Sequence, residues 1–418
     1  MSCPQIRHLL VGAVIAAAFP PTLVTEAQNN KIAFVTSIHG SSRLREWNDA
    51  AGNIGIAAGD SICQQLASTA NLPAPFSFVA WLSDSSTDAY CHVHGLSGTK
   101  NENCGQPTLP ASAGPWVRTD QAPFAARIDQ ALDPYLMIYA PVLLNEYGVP
   151  VTSPSYFSHT RTDGALAAGG APCGDWDVAS PDDHVIHGNA YQTGQGWTSS
   201  ASSACDYPRP LLCLQKGSGP PLPPFWEGGA RVFVTQQDGE GRLQDWSEAG
   251  GSTGVDAADA ICRASALAEG LPAPESYLAW ISDTLVDAHE RFTHDGPWVR
   301  LDGIRVADDL NDLVNSSLKT SITVSEKGEY FGLIQVWTGT DPSGVASTDN
   351  CADWTTDQHG TWGTIGRAYT VSSRWTEYLQ VLNCDYSAHL YCFSQVDVHI
   401  LADAFESGDT SAWSKTVP

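Results

Sequence analysis

The chain contains two copies of one long segment. This internal repeat constrains the possible folds more than any other feature of the sequence. Leu72-Pro-Ala-Pro75 recurs unchanged as Leu271-Pro-Ala-Pro274, which lies 199 residues further along. Gly114-Pro-Trp-Val-Arg118 recurs as Gly296-Pro-Trp-Val-Arg300, but here the offset is 182 residues. We therefore expect two domains of the same fold, at residues 31–216 and 230–395, called the first and second copy below.

The offset falls from 199 to 182 residues, so the first copy carries 17 extra residues. Cys91 and Cys104 lie in this stretch, at about residues 85–113, and neither cysteine has a counterpart in the second copy. The simplest interpretation is an insertion closed by its own disulfide, Cys91–Cys104. Residues 217–229 between the copies are rich in Pro and Gly, which predicts an extended and fairly stiff linker.

Residues 1–27 have the pattern of a secretory signal peptide. The apolar run from Leu9 to Phe19 has 11 residues, whereas a membrane-spanning helix needs about 20. The chain has 11 cysteines, and removal of the signal with Cys3 leaves ten. An even number of cysteines in an oxidising compartment predicts five disulfides. We expect a protein without a membrane span that is secreted, extracellular or at the cell surface.

The charge of the chain excludes several classes of partner. Lys and Arg total 21 while Asp and Glu total 46, which gives a formal net charge of −25. A surface this acidic repels phosphate backbones, anionic lipids and sulfated polysaccharides. Nucleic acid and membrane surfaces are therefore not expected as partners, and the sequence leaves the oligomeric state open.

Hydrophobic periodicity predicts the same α+β domain twice. A strand at Ile32–Thr36 opens the first copy, and a helix surrounds Cys63. A second helix is predicted from apolar residues at helical spacing, which are Phe124, Ile128, Ala131 and Leu132, with Val306, Leu310, Leu313 and Val314 in the second copy. Loops and short strands follow, and an apolar strand closes each copy. We expect two helices packed on an antiparallel sheet, with long loops.

The motifs of the second copy come in a fixed order: Gly254 to Asp259 and Cys262, Ala279-Trp-Ile-Ser-Asp283, Gly296-Pro-Trp298, Val336-Trp-Thr-Gly-Thr340, Cys351-Ala-Asp-Trp354 and Leu390-Tyr-Cys-Phe393. The first copy keeps most of them but has Tyr156-Phe-Ser-His-Thr160 at the fourth place. Over roughly 350 of the 418 residues, this order resembles tandem C-type-lectin-like domains. The closer resemblance is to their endostatin-like branch, which includes bacterial secreted domains of unknown function.

The resemblance implies a disulfide pattern that spacing alone leaves open, because four cysteines allow three pairings. In lectin-like domains the helix cysteine pairs with the last cysteine, and the two middle cysteines pair together. Carried over to this sequence, the pattern implies four disulfides: Cys63–Cys213, Cys173–Cys205, Cys262–Cys392 and Cys351–Cys384.

The resemblance also raises the question of calcium, since many lectin-like domains bind sugar through a bound calcium ion. Their Trp-Asn-Asp motif is replaced here by Trp197-Thr-Ser and Trp375-Thr-Glu. We therefore expect that no cofactor is required. The alternative is an improvised calcium site among the loop acids of the second copy, which are Asp341, Asp349, Asp353 and Glu377.

Candidates for other chemistry are few. His92-Val-His94 and His184-Val-Ile-His187 contain residues that zinc prefers, but two ligands do not make a site. Acids recur before or after Trp motifs in both copies, as Asp84 with Asp283 and Asp175 with Asp353. Recurrence in both copies favours a shared structural duty, such as accepting backbone N–H bonds, over catalysis.

Tryptophans separate into core and loop residues. Ten of the 14 form five repeat pairs, which predicts core positions for 47/246, 81/280, 116/298, 176/354 and 197/375. Trp337 and Trp362 have no tryptophan counterpart and lie in or near the late loops, where lectin-like folds bind ligands. They are the candidate ligand-binding residues, by stacking on a sugar ring or anchoring a protein.

Together these features predict a secreted binding protein rather than an enzyme. Its expected ligand is an extracellular or cell-surface glycan or protein that meets the long loops. Two alternatives remain open: a secreted polysaccharide-degrading enzyme, and a structural surface protein without a discrete ligand. Residues 396–418 are interpreted as a C-terminal tail and a candidate sorting segment.

Overall fold

The structure, a computed structural model, describes residues 30–225 and 227–398. The predicted signal at 1–27 and most of the tail at 396–418 lie outside these residues. The described chain is a mixed α+β protein with four small sheets and five disulfides. In this part of the chain no helix combines the length and the apolar character needed to cross a membrane.

The elements of the first copy are short apart from one helix. Its helices are α1 Gly55–Thr69, α2 Ala89–Val93, α3 Ile128–Ala131 and the single turn α4 Cys173–Trp176. Its strands are β1 Lys31–Val35, β2 Phe78–Ala80, β3 Trp116–Val117, β4 Pro123–Ala125, β5 Ser155–Phe157, β6 His184–Asn189, β7 Ala201–Ala204 and β8 Leu212–Gln215.

The second copy repeats this order, with a 3-10 helix at Ala288–Arg291 in the place of helix α2. Its helices are α5 Gly254–Ala268, α6 Leu310–Val314 and the single turn α7 Cys351–Trp354. Its strands are β9 Gly229–Val234, β10 Tyr277–Ala279, β11 Trp298–Arg300, β12 Arg305–Ala307, β13 Gln335–Trp337, β14 Trp362–Arg367, β15 Val381–Asn383 and β16 Tyr391–Val398. Strand β16 therefore extends three residues into the segment predicted as tail.

Each copy has one five-stranded sheet in which the first strand pairs with the last. The strand orders are β2-β8-β1-β3-β4 and β10-β16-β9-β11-β12. The prediction of an antiparallel sheet is wrong in one respect, because β1 pairs with β3, and β9 with β11, in parallel. The long helix makes the crossover that parallel neighbours require. A three-stranded antiparallel sheet, β5-β6-β7 or β13-β14-β15, completes each copy.

The predicted first helix is present in both copies. In α1, Ile62 and Leu66 are buried against the core, and Asp60 accepts a hydrogen bond from the backbone N–H of Ala80 in β2 at 2.9 Å. Asn71 and its counterpart Gly270 follow the helix ends with φ of 56° and 65°. This left-handed conformation ends a helix, and Asn and Gly adopt it at the lowest cost.

The predicted second helix is mostly wrong. Phe124 and Val306, the first residues of the two apolar stripes, lie in strands β4 and β12, and only one turn of helix follows in each copy. In the first copy Pro134 follows shortly after α3, and a helix cannot continue through a proline without losing a hydrogen bond. The stripe still marks the core, since Phe124, Ile128, Ala131 and Leu132 are all buried.

The five disulfides join the partners expected from the sequence. In each copy one bond joins the long helix to the last strand, Cys63–Cys213 and Cys262–Cys392. A second bond, Cys173–Cys205 or Cys351–Cys384, joins late loops. Cys91–Cys104 closes the insertion across 13 residues. This framework restricts the unfolded chain over separations of up to 150 residues.

The recurring Cys-x-Asp-Trp motif forms a left-handed turn in both copies. Residues 351–354 have φ between 50° and 61°, a conformation that costs roughly 1–2 kcal/mol for each non-glycine residue. Three groups stabilise it: the disulfide at Cys351, the buried indole of Trp354, which donates to the Ser282 carbonyl at 2.8 Å, and the Asp353 carboxylate. The motif recurs because its Cys, Asp and Trp side chains each stabilise this unfavourable left-handed backbone conformation.

Strand β6 contains a buried histidine where the second copy has an apolar residue. His187 pairs with Phe157, and at the matching register Ile365 pairs with Trp337. The His187 side chain is buried and its Nδ1 has no hydrogen-bond partner. Burial, with a smaller contribution from the positive charge of Arg209, lowers the pKa of His187 from 6.5 to about 4.

We predict that His187→Ile, which installs the residue of the second copy, reduces the pH dependence of stability. Because the folded pKa lies below the unfolded pKa, folding favours the neutral ring. This stability is complete above pH 6.5 and is lost as the pH falls towards 4, by at most about 3 kcal/mol. Urea unfolding of both proteins between pH 7 and 4 measures the difference. His184→Gln, at the exposed end of the same strand, is the control, and an equal slope in all three proteins contradicts the prediction.

Candidate functional site

The two copies contact each other through equivalent loops. Thr193 N–H donates to the Tyr369 carbonyl at 2.8 Å, and Val371 N–H donates to the Tyr191 carbonyl at 3.0 Å. Exchange of the two copies converts one of these bonds into the other, as in the self-complementary contact of a symmetric dimer. The side chain of Thr193 also bonds the hydroxyl of Ser321 at 2.6 Å.

Arg300 connects the second copy to the first from a fully buried position. Its guanidinium donates to the Tyr139 carbonyl of the first copy at 2.9 Å and forms a bidentate ion pair with Asp302. Burial alone would raise the pKa of Asp302, but Arg300 beside it keeps that pKa below its usual value. Tyr330 donates a further hydrogen bond to the same carboxylate at 2.5 Å. The interface therefore contains a satisfied buried charge pair.

Two clefts lie between the copies, and the larger one is mainly apolar. It has a volume of about 830 Å³, and its walls include linker residues Pro221 to Phe225 and Tyr139. Its charged groups already have partners, because Asp302 pairs with Arg300 and Arg127 pairs with Asp129. We therefore interpret this apolar cleft as the place where the linker packs.

The second cleft, called the polar cleft, has a volume of about 520 Å³ and takes its walls from both copies. Most of its lining side chains are amides, hydroxyls or charged groups. They are Gln192, Ser199 and Ser200 of the first copy, and Asp238, Gln335, Arg367, Tyr369, Ser387 and His389 of the second. Leu333 and Ile334 add an apolar segment. Such a lining suits a ligand with many hydroxyl groups.

Arg367 is the cation of this cleft, and strand register places it there. It lies opposite Gln335 in the β13–β14 pair, so both side chains project from the same face of the sheet. Its guanidinium carbon lies 3.3 Å from the ring centre of Tyr378. Among the described residues Arg367 forms no ion pair, and its Nε is buried without a hydrogen-bond partner. An arginine without an acidic partner is unexpected in a chain of net charge −25.

His389 adds a neutral imidazole to the polar cleft. Its Nδ1 lies 2.7 Å from the Thr235 carbonyl, which accepts the ring proton. Burial lowers the pKa of His389 below 6.5, so the ring is neutral at pH 7 and its Nε2 is a hydrogen-bond acceptor. The cleft thus combines a strong donor, Arg367, with an acceptor.

The two tryptophans proposed as ligand-binding residues have different environments. Trp337 is fully buried, donates to the Gly239 carbonyl at 2.9 Å and packs on Trp354, so its predicted role in ligand stacking is wrong. Trp362 is 43 % exposed and remains a candidate, but it lies at the other end of β14 from Arg367 and does not line the polar cleft. The ten tryptophans predicted as core are all buried.

Two of the four acids proposed for calcium are engaged in hydrogen bonds. The Asp341 carboxylate caps its own turn by accepting from Ser343 and Val345, and Asp353 accepts from the backbone and hydroxyl of Thr284. Within residues 30–225 and 227–398 a single group of three metal-type side chains has ligand atoms within 4.8 Å of one another, and it contains none of the four. Asp341 and Asp353 are thus engaged in stabilising loops, and the calcium set with Asp349 and Glu377 stays a prediction.

The recurring acids have the structural duty expected of them. Asp84 and Asp283 each accept two backbone N–H bonds from the turn that follows, at 2.8–2.9 Å. Asp175 accepts from both the backbone and the hydroxyl of Ser85, as Asp353 does from Thr284. These carboxylates stabilise the same loop contacts in both copies.

The histidine pairs do not form metal sites. His92 and His94 are in and directly after helix α2, where residues two apart point in different directions. His92 pairs with Asp60 at 2.9 Å. His184 and His187 lie three apart on a strand, one exposed and one buried.

The polar cleft was not predicted from the sequence. Its residues are scattered between Gln192 and His389, and none of them belongs to the motifs named in the sequence analysis. One available signal was the departure of the two copies from each other, since Arg367 replaces Asn189 and His389 replaces Pro210 at matching positions.

Comparison with known proteins adds no further information: neither the family models nor the curated proteins include one that matches this chain.

We predict that Arg300→Met destabilises the protein far more than Arg118→Met, its counterpart in the first copy. The first change leaves the Asp302 carboxylate, which is 15 % exposed, without its partner, at a cost of about 3–5 kcal/mol. Arg118 pairs with Asp120, which is 42 % exposed and stays hydrated when the arginine is removed. Chemical unfolding measures the free energy of unfolding of both variants. Equal losses of stability would contradict the prediction and show that the contact between the copies contributes little to stability.

Proposed function

We propose that the protein is a secreted, non-enzymatic binding protein whose polar cleft binds an extracellular or cell-surface glycan. The observation that carries the proposal is Arg367, whose guanidinium forms no ion pair with any described residue and lies in a cleft lined by amides and hydroxyls. Sugars offer dense hydroxyl groups that accept and donate hydrogen bonds in the plane of such side chains.

Several features support a tandem lectin-like architecture for this protein. The disulfide partners are those that the resemblance implies, the long helix is joined to the last strand in each copy, and the first strand pairs with the last. The five disulfides support an oxidising compartment, and hence secretion, because such bonds are rare in the cytosol.

A binding role is favoured over hydrolysis by the state of the carboxylates. A glycosidase needs two carboxyl groups that face each other across the scissile bond. The polar cleft has one, Asp238, among its lining residues. The recurring acids outside the cleft bind backbone N–H groups of their own loops. The polysaccharide-degrading and purely structural alternatives therefore have less support than glycan binding.

The test is a glycan-array screen of the oxidised protein, carried out in calcium and again in EDTA. We expect binding that survives EDTA, because the proposed contacts need no metal. Arg367→Gln is expected to weaken it about 10- to 100-fold, through loss of a charge-assisted hydrogen bond. The matched control is Arg374→Gln, since Arg374 lies 5.9 Å from the same Tyr378 ring but does not line the cleft.

Three outcomes would contradict the proposal. Binding abolished by EDTA requires a metal-dependent lectin site instead. Binding insensitive to Arg367→Gln but lost in Trp362→Ala moves the site to the far end of β14. A protein that is folded by circular dichroism but binds no glycan in either buffer leaves a protein partner or a structural role.

A further inference from the structure

Three positions that attach the insertion in the first copy carry metal-ligand residues in the second copy. At the common offset of 199 residues, Asp88-Ala-Tyr-Cys91 corresponds to Asp287-Ala-His-Glu290. The insertion follows this segment in the first copy and is absent from the second. The surroundings of the two segments therefore differ, although Tyr90 N–H and His289 N–H donate matching hydrogen bonds to the Gly164 and Gly344 carbonyls.

In the first copy all three side chains attach the insertion. The Asp88 carboxylate accepts from the backbone N–H of Lys100 at 2.6 Å, and Cys91 forms the disulfide with Cys104. The ammonium group of Lys100 lies 4.5 Å from the ring centre of Tyr90. The ammonium group also donates to the Asp163 carbonyl, so the insertion places a cation over the position that His289 occupies in the second copy.

In the second copy no lysine fills this place, and the three side chains converge. Asp287, His289 and Glu290 each offer a ligand atom, and these atoms all lie within 4.8 Å of one another. Asp287 and His289 are half-buried and Glu290 is exposed, so the group is open to solvent on the Glu290 side.

The 344–346 turn orients two of these three side chains. His289 Nδ1 lies 3.0 Å from the Gly344 carbonyl, which accepts the ring proton and leaves Nε2 as the free electron-pair donor. One Asp287 oxygen accepts from the Ala346 N–H at 2.7 Å, and the other oxygen remains available. Metal-binding histidines commonly donate their second ring N–H to a backbone carbonyl, which fixes the ring for coordination.

We propose that Asp287, His289 and Glu290 form a binding site for a divalent transition-metal ion, and that the ion takes the place of the Lys100 ammonium of the first copy. One imidazole nitrogen and two carboxylate oxygens are ligands that Zn²⁺ accepts at about 2.0–2.2 Å, with water completing a tetrahedral site. Calcium is a poorer fit, because it requires six to eight oxygen ligands. The net charge of −25 favours the approach of cations.

This inference is independent of the polar cleft, since none of the three residues lines it. A failure to bind glycans therefore does not contradict the proposed metal site. Likewise, a failure to bind metal does not contradict the proposed glycan site in the polar cleft.

The test is calorimetric titration of the metal-depleted, oxidised protein with Zn²⁺. We expect one ion per chain, and a loss of affinity of about 100-fold or more in His289→Ala and in Glu290→Gln. His359→Ala is the matched control, because His359 lies 2.9 Å from Asp385 in the same copy as an exposed histidine–carboxylate pair. X-ray absorption of the zinc-loaded protein is expected to show one imidazole ligand that disappears in His289→Ala.

A second variant separates loss of the site from loss of the fold. Glu290→Lys replaces one carboxylate ligand by an ammonium group at an exposed position, so it is expected to abolish zinc binding while the melting temperature stays unchanged. Absence of zinc binding by the parent protein would overturn the proposal. So would zinc binding that is equally strong in His289→Ala, or weakened equally by His359→Ala.

Discussion

The pairing of the first strand with the last strand is the contact on which each copy depends. In both five-stranded sheets the opening strand lies between the closing strand and a parallel neighbour, and most residues of these three strands are buried. The disulfide from the long helix to the closing strand, Cys63–Cys213 or Cys262–Cys392, links the same two ends covalently. Because the ends are joined, the intervening chain is a closed loop, and its long irregular segments need only local contacts to be ordered.

Those local contacts are supplied mainly by carboxylates and indoles. Asp353 and Trp354 stabilise a left-handed turn by bonding Thr284 and the Ser282 carbonyl, and the same arrangement is present around Asp175 and Trp176. A loop-rich fold has few helical or sheet hydrogen bonds to satisfy its backbone, so side chains take over this function. Several of the acids that make the chain strongly negative therefore accept hydrogen bonds that stabilise loops.

The functional interest of the molecule lies where its two copies differ. Equivalent loops meet around Gln192 and Thr370, and the buried Arg300 crosses to the first copy, so the polar cleft has walls from both. Differences at matching positions add its chemistry, as Arg367 stands where the first copy has Asn189. The same principle distinguishes the insertion of the first copy from the Asp287 group of the second. The fold shared by the two copies tolerates these substitutions because core residues recur in both copies.

Much of the fold was accessible from the sequence. The repeat, the long helix around Cys63, the buried tryptophan pairs and the structural role of Asp84 follow from local pattern and from recurrence, which report contacts made within a copy. Tertiary structure alone decided the rest. Phe124 has helical spacing but joins a strand, because pairing with β3 outweighs a weak local preference. Trp337 is buried, and Arg367 lines the same cleft as Gln192, because tertiary structure brings together segments that are far apart in sequence.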